Sequence, residues 1–438
     1  MVTMRTKLIT ATFVFILFFS LGMATSSSAD DAVVLPKGVA SLNTEGQFYM
    51  PIDKRFNRDG HVEDSAIDYN ANLNSTLFPA LGFLELPPPN GFGMPAGSAS
   101  LGNSVVKFKY DVTNLNILFA YGITDKLTVG VYIPYQWVTH EVNARVDNTN
   151  ATVARNPFLG GADPFGGAPL VPIAVLKSPP FGFSDQDIEP LKLTTEDIQA
   201  LLGNGLDIGN VHVPGFGYKR FETWSDSGLC DIEAGVKYQY LKNDNWRLAV
   251  GGGLRLPTGS LADIDSLQAR AFGAGNWGLL FRLYNDYTGI KNLVLNTTLR
   301  YDHMLSAHKT FRVPPSVHEP ITDIKETVDI RHGDIVEVEV SGKYELSKGL
   351  NFSALYKYGF AQKDEVIGSQ GNILSLEDET DYTEHVYVIG LSYSTIPLYM
   401  EKKFPVPFTA SIAYRNRFAG TNNIFKSQFI SAALQFFF

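Results

Sequence analysis

The last ten residues constrain the fold more than any other stretch. In Phe429-Ile-Ser-Ala-Ala-Leu-Gln-Phe-Phe-Phe438, Ile430, Ala432, Leu434, Phe436 and Phe438 share one face, and Ser431, Ala433 and Gln435 share the other. Side chains on a strand alternate between faces, so this segment is apolar on one side and small and polar on the other. A strand of that kind, ending on an aromatic residue, is expected where an outer-membrane β-barrel closes. A soluble sheet would instead have to cover the apolar side with a core.

Residues 1–29 read as a signal peptide. Arg5 and Lys7 supply a positive start, Leu8 to Met23 form an apolar run, and Ser27-Ser28-Ala29 or Gly22-Met23-Ala24 offer small-residue cleavage sites. The run is short for a retained transmembrane helix, and the absence of a nearby cysteine argues against lipoprotein processing. Beyond it no 18-residue apolar stretch occurs, so no spanning helix is expected. Apolar residues nevertheless make up 45% of the chain and aromatic residues 12%, with 20 Tyr and 30 Phe. Such a load, spread over short alternating runs, suits strands that face lipid.

Formal charge is −9, from 36 basic and 45 acidic residues; without Arg5 and Lys7 it becomes −11. That balance disfavours nucleic acid as a partner. Cys230 is alone, which excludes an intramolecular disulfide and any CxxC or haem-attachment motif.

Twelve strands are expected, at roughly 39–50, 105–121, 127–139, 228–241, 246–257, 275–287, 292–304, 334–346, 350–361, 382–395, 408–419 and 427–438. Turns at 122–126, 242–245, 288–291 and 347–349 are short, and 396–407 is longer and Pro-marked. They alternate with loops at 51–104, 140–227, 258–274, 305–333, 362–381 and 420–426. An up-and-down barrel has short periplasmic turns, longer outer loops and an even strand number. Fourteen strands is the alternative, if 68–78 or part of 140–227 supplies another hairpin.

Strand phase separates outside from inside. In 230–240, Cys230, Ile232, Ala234, Val236, Tyr238 and Tyr240 alternate with Asp231, Glu233, Gly235, Lys237 and Gln239. In 334–345, Val336, Val338, Val340 and Tyr344 alternate with Glu337, Glu339, Lys343 and Glu345. A basic side chain at mid-bilayer costs about 2–4 kcal/mol, so the charged faces should point into a wet lumen. Arg247, Arg255, Arg282, Arg300, Lys357 and Arg415 are placed there by the same logic. A constriction is expected from Arg255, Arg282, Arg300 and Arg415 opposite Glu233, Glu337 and Glu339, with Lys237, Lys343 and Lys357 on the same surface; mutual pairing that braces the wall is the alternative. Tyr240, Trp246, Tyr287, Tyr344, Phe352, Phe408 and Phe438 should mark one lipid interface. Tyr135, Trp137, Trp277, Tyr301, Tyr358 and Phe418 should mark the other.

Signals for catalysis are weak. The eight histidines form no HExxH and no metal-ligand pair, and no GxSxG or Walker loop is present. His303, Ser306 and His385 are the nearest material for an outer-membrane hydrolase. Asp185/Asp187 and Asp263/Asp265 lack calcium-loop spacing. No enzyme activity, metal or cofactor is expected.

Two loops are too apolar to be simple coverings. Leu77 to Phe92 includes Phe83 and Phe92; the second carries Phe181, Phe183, Phe216, Tyr218, Phe221 and Trp224. Between them Thr194 to Gly203 has an N-cap, acidic first-turn residues and a Gly stop, and reads as a short amphipathic helix. These segments either line an apolar solute site at the barrel mouth or only pack on one another.

Three pieces, Tyr121-Gly-Ile-Thr-Asp-Lys-Leu-Thr-Val-Gly-Val-Tyr-Ile-Pro-Tyr135, Gly228-Leu-Cys-Asp-Ile-Glu-Ala-Gly-Val-Lys-Tyr238 and Arg255-Leu-Pro-Thr-Gly259, resemble the outer-membrane channel family linked to meta-pathway phenol degradation. That family is distantly similar to the long-chain fatty acid transporters. The likeness covers about 105–260 and implies passage of small aromatic or hydrophobic solutes across the outer membrane of a diderm bacterium. The fatty acid transporters carry an N-terminal hatch with Asn-Pro-Ala. Here about ten residues precede the first strand and Asn156-Pro-Phe lies in the large loop, so a hatch-gated lateral exit is not expected. The implied partners are lipid, the barrel-assembly machinery through the terminal strand and a small organic solute, around a monomer. The alternative is a plugged structural barrel that binds a partner through 140–227.

Overall fold

The computed structural model describes residues 30–316, 319 and 321–438; the expected signal peptide lies outside them. Twelve antiparallel strands form the wall: β1 (Ala40–Tyr49), β2 (Ser100–Thr124), β3 (Leu127–Asp147), β4 (Ile232–Lys242), β5 (Trp246–Leu256), β6 (Gly278–Ile290), β7 (Leu293–Met304), β8 (Ile335–Ser347), β9 (Leu350–Ala361), β10 (Tyr382–Ser394), β11 (Phe408–Gly420) and β12 (Gln428–Phe437). Each strand pairs with its neighbour in sequence. β1 pairs with β12 from Ser41↔Phe437 to Tyr49↔Phe429, which closes the cylinder. Closure leaves no open edge in the wall, the condition for strands to cross a bilayer.

The outward phase is apolar. Val236, Val250, Leu254, Phe281, Leu283, Leu295, Val340, Ile389, Leu391, Ile412, Ile430 and Leu434 are all exposed on the wall. Trp246, Tyr240, Tyr344 and Phe352 stand outward at the turn end, and Trp137, Trp277, Tyr358 and Phe418 at the loop end. A water-facing cylinder would leave this band unprotected; in lipid it is the solvated surface. The chain is an outer-membrane β-barrel.

Some expected boundaries move. β2 and β3 reach Ser100 and Asp147 and pair from Asn103↔Asp147 down to Thr124↔Leu127, so the hairpin rises well above the wall. His140 to Asp147 was expected as loop because it is rich in polar residues. Val142, Ala144 and Val146, however, alternate inward and pack on the apolar core of the outer loops. Two short strands dock on this hairpin, Asn72–Asn74 on β2 and Trp224–Leu229 on β3. They are additions above the wall, which stays twelve-stranded.

The expected strand 228–241 is two pieces broken at Cys230 and Asp231. Cys230 is therefore a buried member of the loop core and not a lipid-facing residue. The Asp231 carboxylate accepts N–H bonds from Gly259 (3.0 Å) and Ala274 (2.7 Å), pinning both ends of the next outer loop. Above the barrel, the 51–99 and 148–223 loops share an apolar core of Phe78, Leu81, Leu84, Leu193, Ile198 and Leu201. The helix Thr195–Leu202 supplies three of its buried side chains and starts from a reciprocal Thr194/Asp197 capping box.

Candidate functional site

The inner face of β2 changes character along its length. Val106, Phe108, Tyr110 and Val112 point inward above the barrel, and Asn114 and Asn116 continue the same face within it, all buried. Period two thus yields an apolar dome above a polar lumen from one strand.

Three cavities follow this face downward. The outermost, about 800 Å³, is lined by Phe78, Phe83, Phe92, Leu101, Phe165 and Leu201 among others. A smaller cavity of about 80 Å³ lies next, against Ser104, Val106, Leu202 and Phe221, and shares Phe78 with the first. An inner cavity of about 380 Å³ is lined by Phe108, Tyr110 and Tyr218, and shares Tyr69 and Leu267 with the smaller one. From Leu101 to Tyr110 is nine residues, or roughly 30 Å of extended strand.

The floor of the inner cavity is the loop between β5 and β6. Its Arg270 lies 5.0 Å from the Tyr110 ring and 5.4 Å from that of Phe425. Tyr110 belongs to β2 and Phe425 to the loop before β12, across the cylinder from β5 and β6. The loop therefore spans the mouth. It is held by Tyr69 Oη donating to Leu267 O (2.7 Å) and Gln268 Nε2 donating to Glu222 O (3.1 Å).

The eight lid candidates divide. Phe83, Phe92 and Phe216 line the outer cavity, Phe221 the smaller one and Tyr218 the inner cavity. Phe181 and Phe183 pack instead on Phe158, at 5.3 and 6.1 Å between ring centroids. Trp224 sits 5.9 Å from the His140 ring. Phe78 and Phe165, which the sequence reading did not single out, line the outer cavity as well.

Within the barrel, the charged side chains form a girdle of three ion-paired groups. Glu233 binds Arg255 (2.7 Å), Arg255 binds Asp302 (2.8 Å), and Asp302 also holds Arg282. Arg300 meets Glu339 at 3.4 Å. Lys357 bridges Glu337 (2.6 Å) and Glu384 (2.5 Å), and Glu384 binds Arg417 (2.6 Å). Charges of both signs are thus brought together and largely buried, Arg300 and Glu233 to 1% exposure each. The expected wet surface is, at this level, a packed layer. Three of its members, Asp302, Glu384 and Arg417, were missed, although Asp302 lies two residues from Arg300 and Arg417 two from Arg415 on the same inward phase. Arg415 shares their face but lies 5.5 Å over the Phe429 ring. Lys343, nearer the turn end of β8, makes no ion pair with a described residue.

Below the girdle the segment before β1 enters the lumen. Lys237 Nζ binds the Asp30 carboxylate at 2.6 Å and Asp31 O at 2.9 Å. Thr298 Oγ1 donates to Asp30 O (2.7 Å), Gln239 Nε2 donates to Ala32 O (2.7 Å), and Ala32 N donates to the Asp286 carboxylate (3.2 Å). Arg247 pairs with Asp286 at 3.0 Å. Gly251 and Gly253 on the inner face of β5 leave room here, since a Cβ on Gly251 would lie 3.3 Å from Arg282 and Tyr284 side chains. The sequence showed the length of this segment but not its inward path, because that path depends on partners more than 200 residues away.

His303 and His385 are not brought together. His303 Nδ1 lies 2.9 Å from Asp334 Oδ1 on β7's side, while His385 on β10 meets the Tyr356 hydroxyl at 2.7 Å. Among the described residues no group of three His, Cys, Asp or Glu is arranged to hold a metal. The Asp pairs are absorbed by structure: the Asp187 carboxylate accepts from the N–H of the N-cap residue Ser184, and Asp265 binds Arg312 at 2.7 Å.

The family model described as "Putative MetA-pathway of phenol degradation" matches residues 165–395, more than half of the chain. The chain belongs to this family. The matched span runs from the outer loops through β10 and includes Phe165, Phe216 and Phe221 of the dome and the girdle residues from Glu233 to Glu384.

Among solved structures, an outer membrane channel from Pseudomonas putida F1 is similar at 11% identity and a TM-score of 0.49, over 94% of this chain and 99% of that one. The toluene transporter TbuX of Ralstonia pickettii is similar at 11% identity and 0.34, over 92% and 90%. A FadL homologue of Pseudomonas aeruginosa stands at 9% and 0.32, over 91% and 90%. No curated protein matches.

Proposed function

We propose that this barrel takes up small apolar organic solutes, aromatic ones among them, from outside the cell and passes them toward the lumen. The observation that carries this reading is the series of three cavities along β2, from Leu101 through Val106 to Tyr110, the outer two lined mainly by apolar side chains. Pockets of several hundred Å³ with apolar walls and few polar groups are where small organic molecules bind. A surface meant only to cover the barrel has no need of them. In this reading Phe83, Phe92 and Phe216 form the capture site, Phe221 the narrow passage, and the girdle from Glu233 to Arg417 the selective layer that must rearrange for passage. Membership of the phenol-degradation family agrees with aromatic solutes.

Purified protein in detergent should bind naphthalene saturably, and filling the outer cavity with Leu201→Trp should remove that binding. Unsaturable uptake that Leu201→Trp leaves unchanged would count against the capture site.

The second reading, a plugged barrel that acts through its loops, is favoured by one observation: the girdle and the Asp30 segment are nearly closed to solvent. It predicts binding to the outer cavity without passage.

A further inference from the structure

The inner cavity differs from the two above it in carrying buried charge. We propose that it is an anion-selecting vestibule, in which Lys309 takes the carboxylate of an apolar organic acid whose hydrocarbon part lies against Phe108, Tyr110 and Tyr218. This deepens the solute-uptake reading and rests on it.

Lys309 comes from the strand Ala307–Arg312, on a small hairpin beside the mouth, and is 5% exposed. Its Nζ donates to Ala274 O and to His332 Nε2, the latter at 2.8 Å. His332 Nδ1 in turn donates to Asp364 Oδ2 at 2.8 Å. Burial lowers the imidazole's basicity, which keeps Nε2 an acceptor. An aspartate and a histidine thus orient the amine without neutralising it directly. Among the described residues no carboxylate oxygen lies within ion-pair distance of Nζ. Asp364 and Asp231 act on it only at longer range, and burial still lowers the ammonium to about 8.

An ammonium has three donors, and two are used. The third has no hydrogen-bond partner among the described residues, and the cavity that Lys309 lines has Arg270 and Arg312 as its other cations and Asp263 as its lining carboxylate. Asp263 is engaged by Lys219, and Arg312 by Asp265 and the carbonyls of Phe216 and Thr322. A buried cation lacking a close counter-charge is costly, and a bound carboxylate would supply one. The volume of about 380 Å³ holds one ring with a short side chain.

The test compares 4-phenylbutyrate with 4-phenylbutan-1-ol, which match in shape and differ in charge. Binding to the full-length protein in detergent is measured by calorimetry at pH 7, and uptake of both by cells carrying the protein is measured alongside. The acid should bind about tenfold more tightly than the alcohol, the worth of one charge-assisted hydrogen bond. Lys309→Met should abolish that preference, weakening the acid about tenfold more than the alcohol, and Lys309→Arg should keep it. In the wild-type protein, with no substitution to disturb folding, the preference should decline as pH rises through about 8. Equal affinities, or a preference that survives Lys309→Met, would overturn the proposal. Uptake of the alcohol without any acid preference would overturn the vestibule and leave the uptake reading standing. Lys309-dependent binding of the acid with no uptake of either compound would do the reverse.

Discussion

Glu384 holds two cations at once, Lys357 at 2.5 Å and Arg417 at 2.6 Å, with 1% of its surface exposed. Removing one partner of a buried pair costs about 3–5 kcal/mol, because the remaining charges stay buried without compensation. Glu384→Gln should therefore lower the temperature at which the folded band is lost on a semi-native gel, and should do so far more than Glu365→Gln in the exposed pair with Arg331. Lys309 acts on the loops through pH. Its folded value of about 8 lies below its ordinary 10.5, so the opened loop binds more protons between those limits. Stability of the folded loop then rises with pH across that window, and the full penalty is present below about 8. Limited proteolysis of 258–274 should slow from pH 8 to 10 in the wild-type protein and show no such trend in Lys309→Met. Residues like Glu384 were open to the same strand-phase argument that located Glu337. Lys309, His332 and Asp364 were not, because they come from three outer segments with no shared period.

At the scale of elements, alternation carried far. The apolar outer faces and the twelve-strand wall follow from period two, and the N-cap, acidic first turn and Gly stop of Thr194 to Gly203 marked the helix Thr195–Leu202. What alternation could not reveal was height. β2 and β3 continue above the membrane with the same period, and only the partner surface changes, from lumen to dome. The helix lends itself to a direct check. Thr194→Ala removes the cap and costs about 1 kcal/mol, and since Leu201 lines the outer cavity, naphthalene affinity should fall while the barrel stays intact by circular dichroism. On β5, a Cβ at Gly253 would come 2.7 Å from Ala234 O. Gly253→Val should reduce the yield of folded barrel, read from the heat-modifiable fraction.

The whole molecule places an apolar dome, a charged girdle and an inward-threaded segment in series along one axis. On the uptake proposal the dome concentrates apolar solute and the girdle resists ions, while the Asp30–Ala32 segment occupies the turn end of the lumen. Deleting 30–37 should raise single-channel conductance in a planar bilayer above that of the intact protein, since Lys237, Gln239 and Asp286 would then face water. The sequence disclosed the two ends of this arrangement, the wall and the apolar loops. It did not disclose the middle, where closure depends on contacts between distant strands. The most direct test of the account is the initial rate of labelled naphthalene uptake by cells with an intact outer membrane, with and without the protein. The account predicts a several-fold faster, saturable uptake that Leu201→Trp abolishes. Equal rates in the presence and absence of the protein would contradict it.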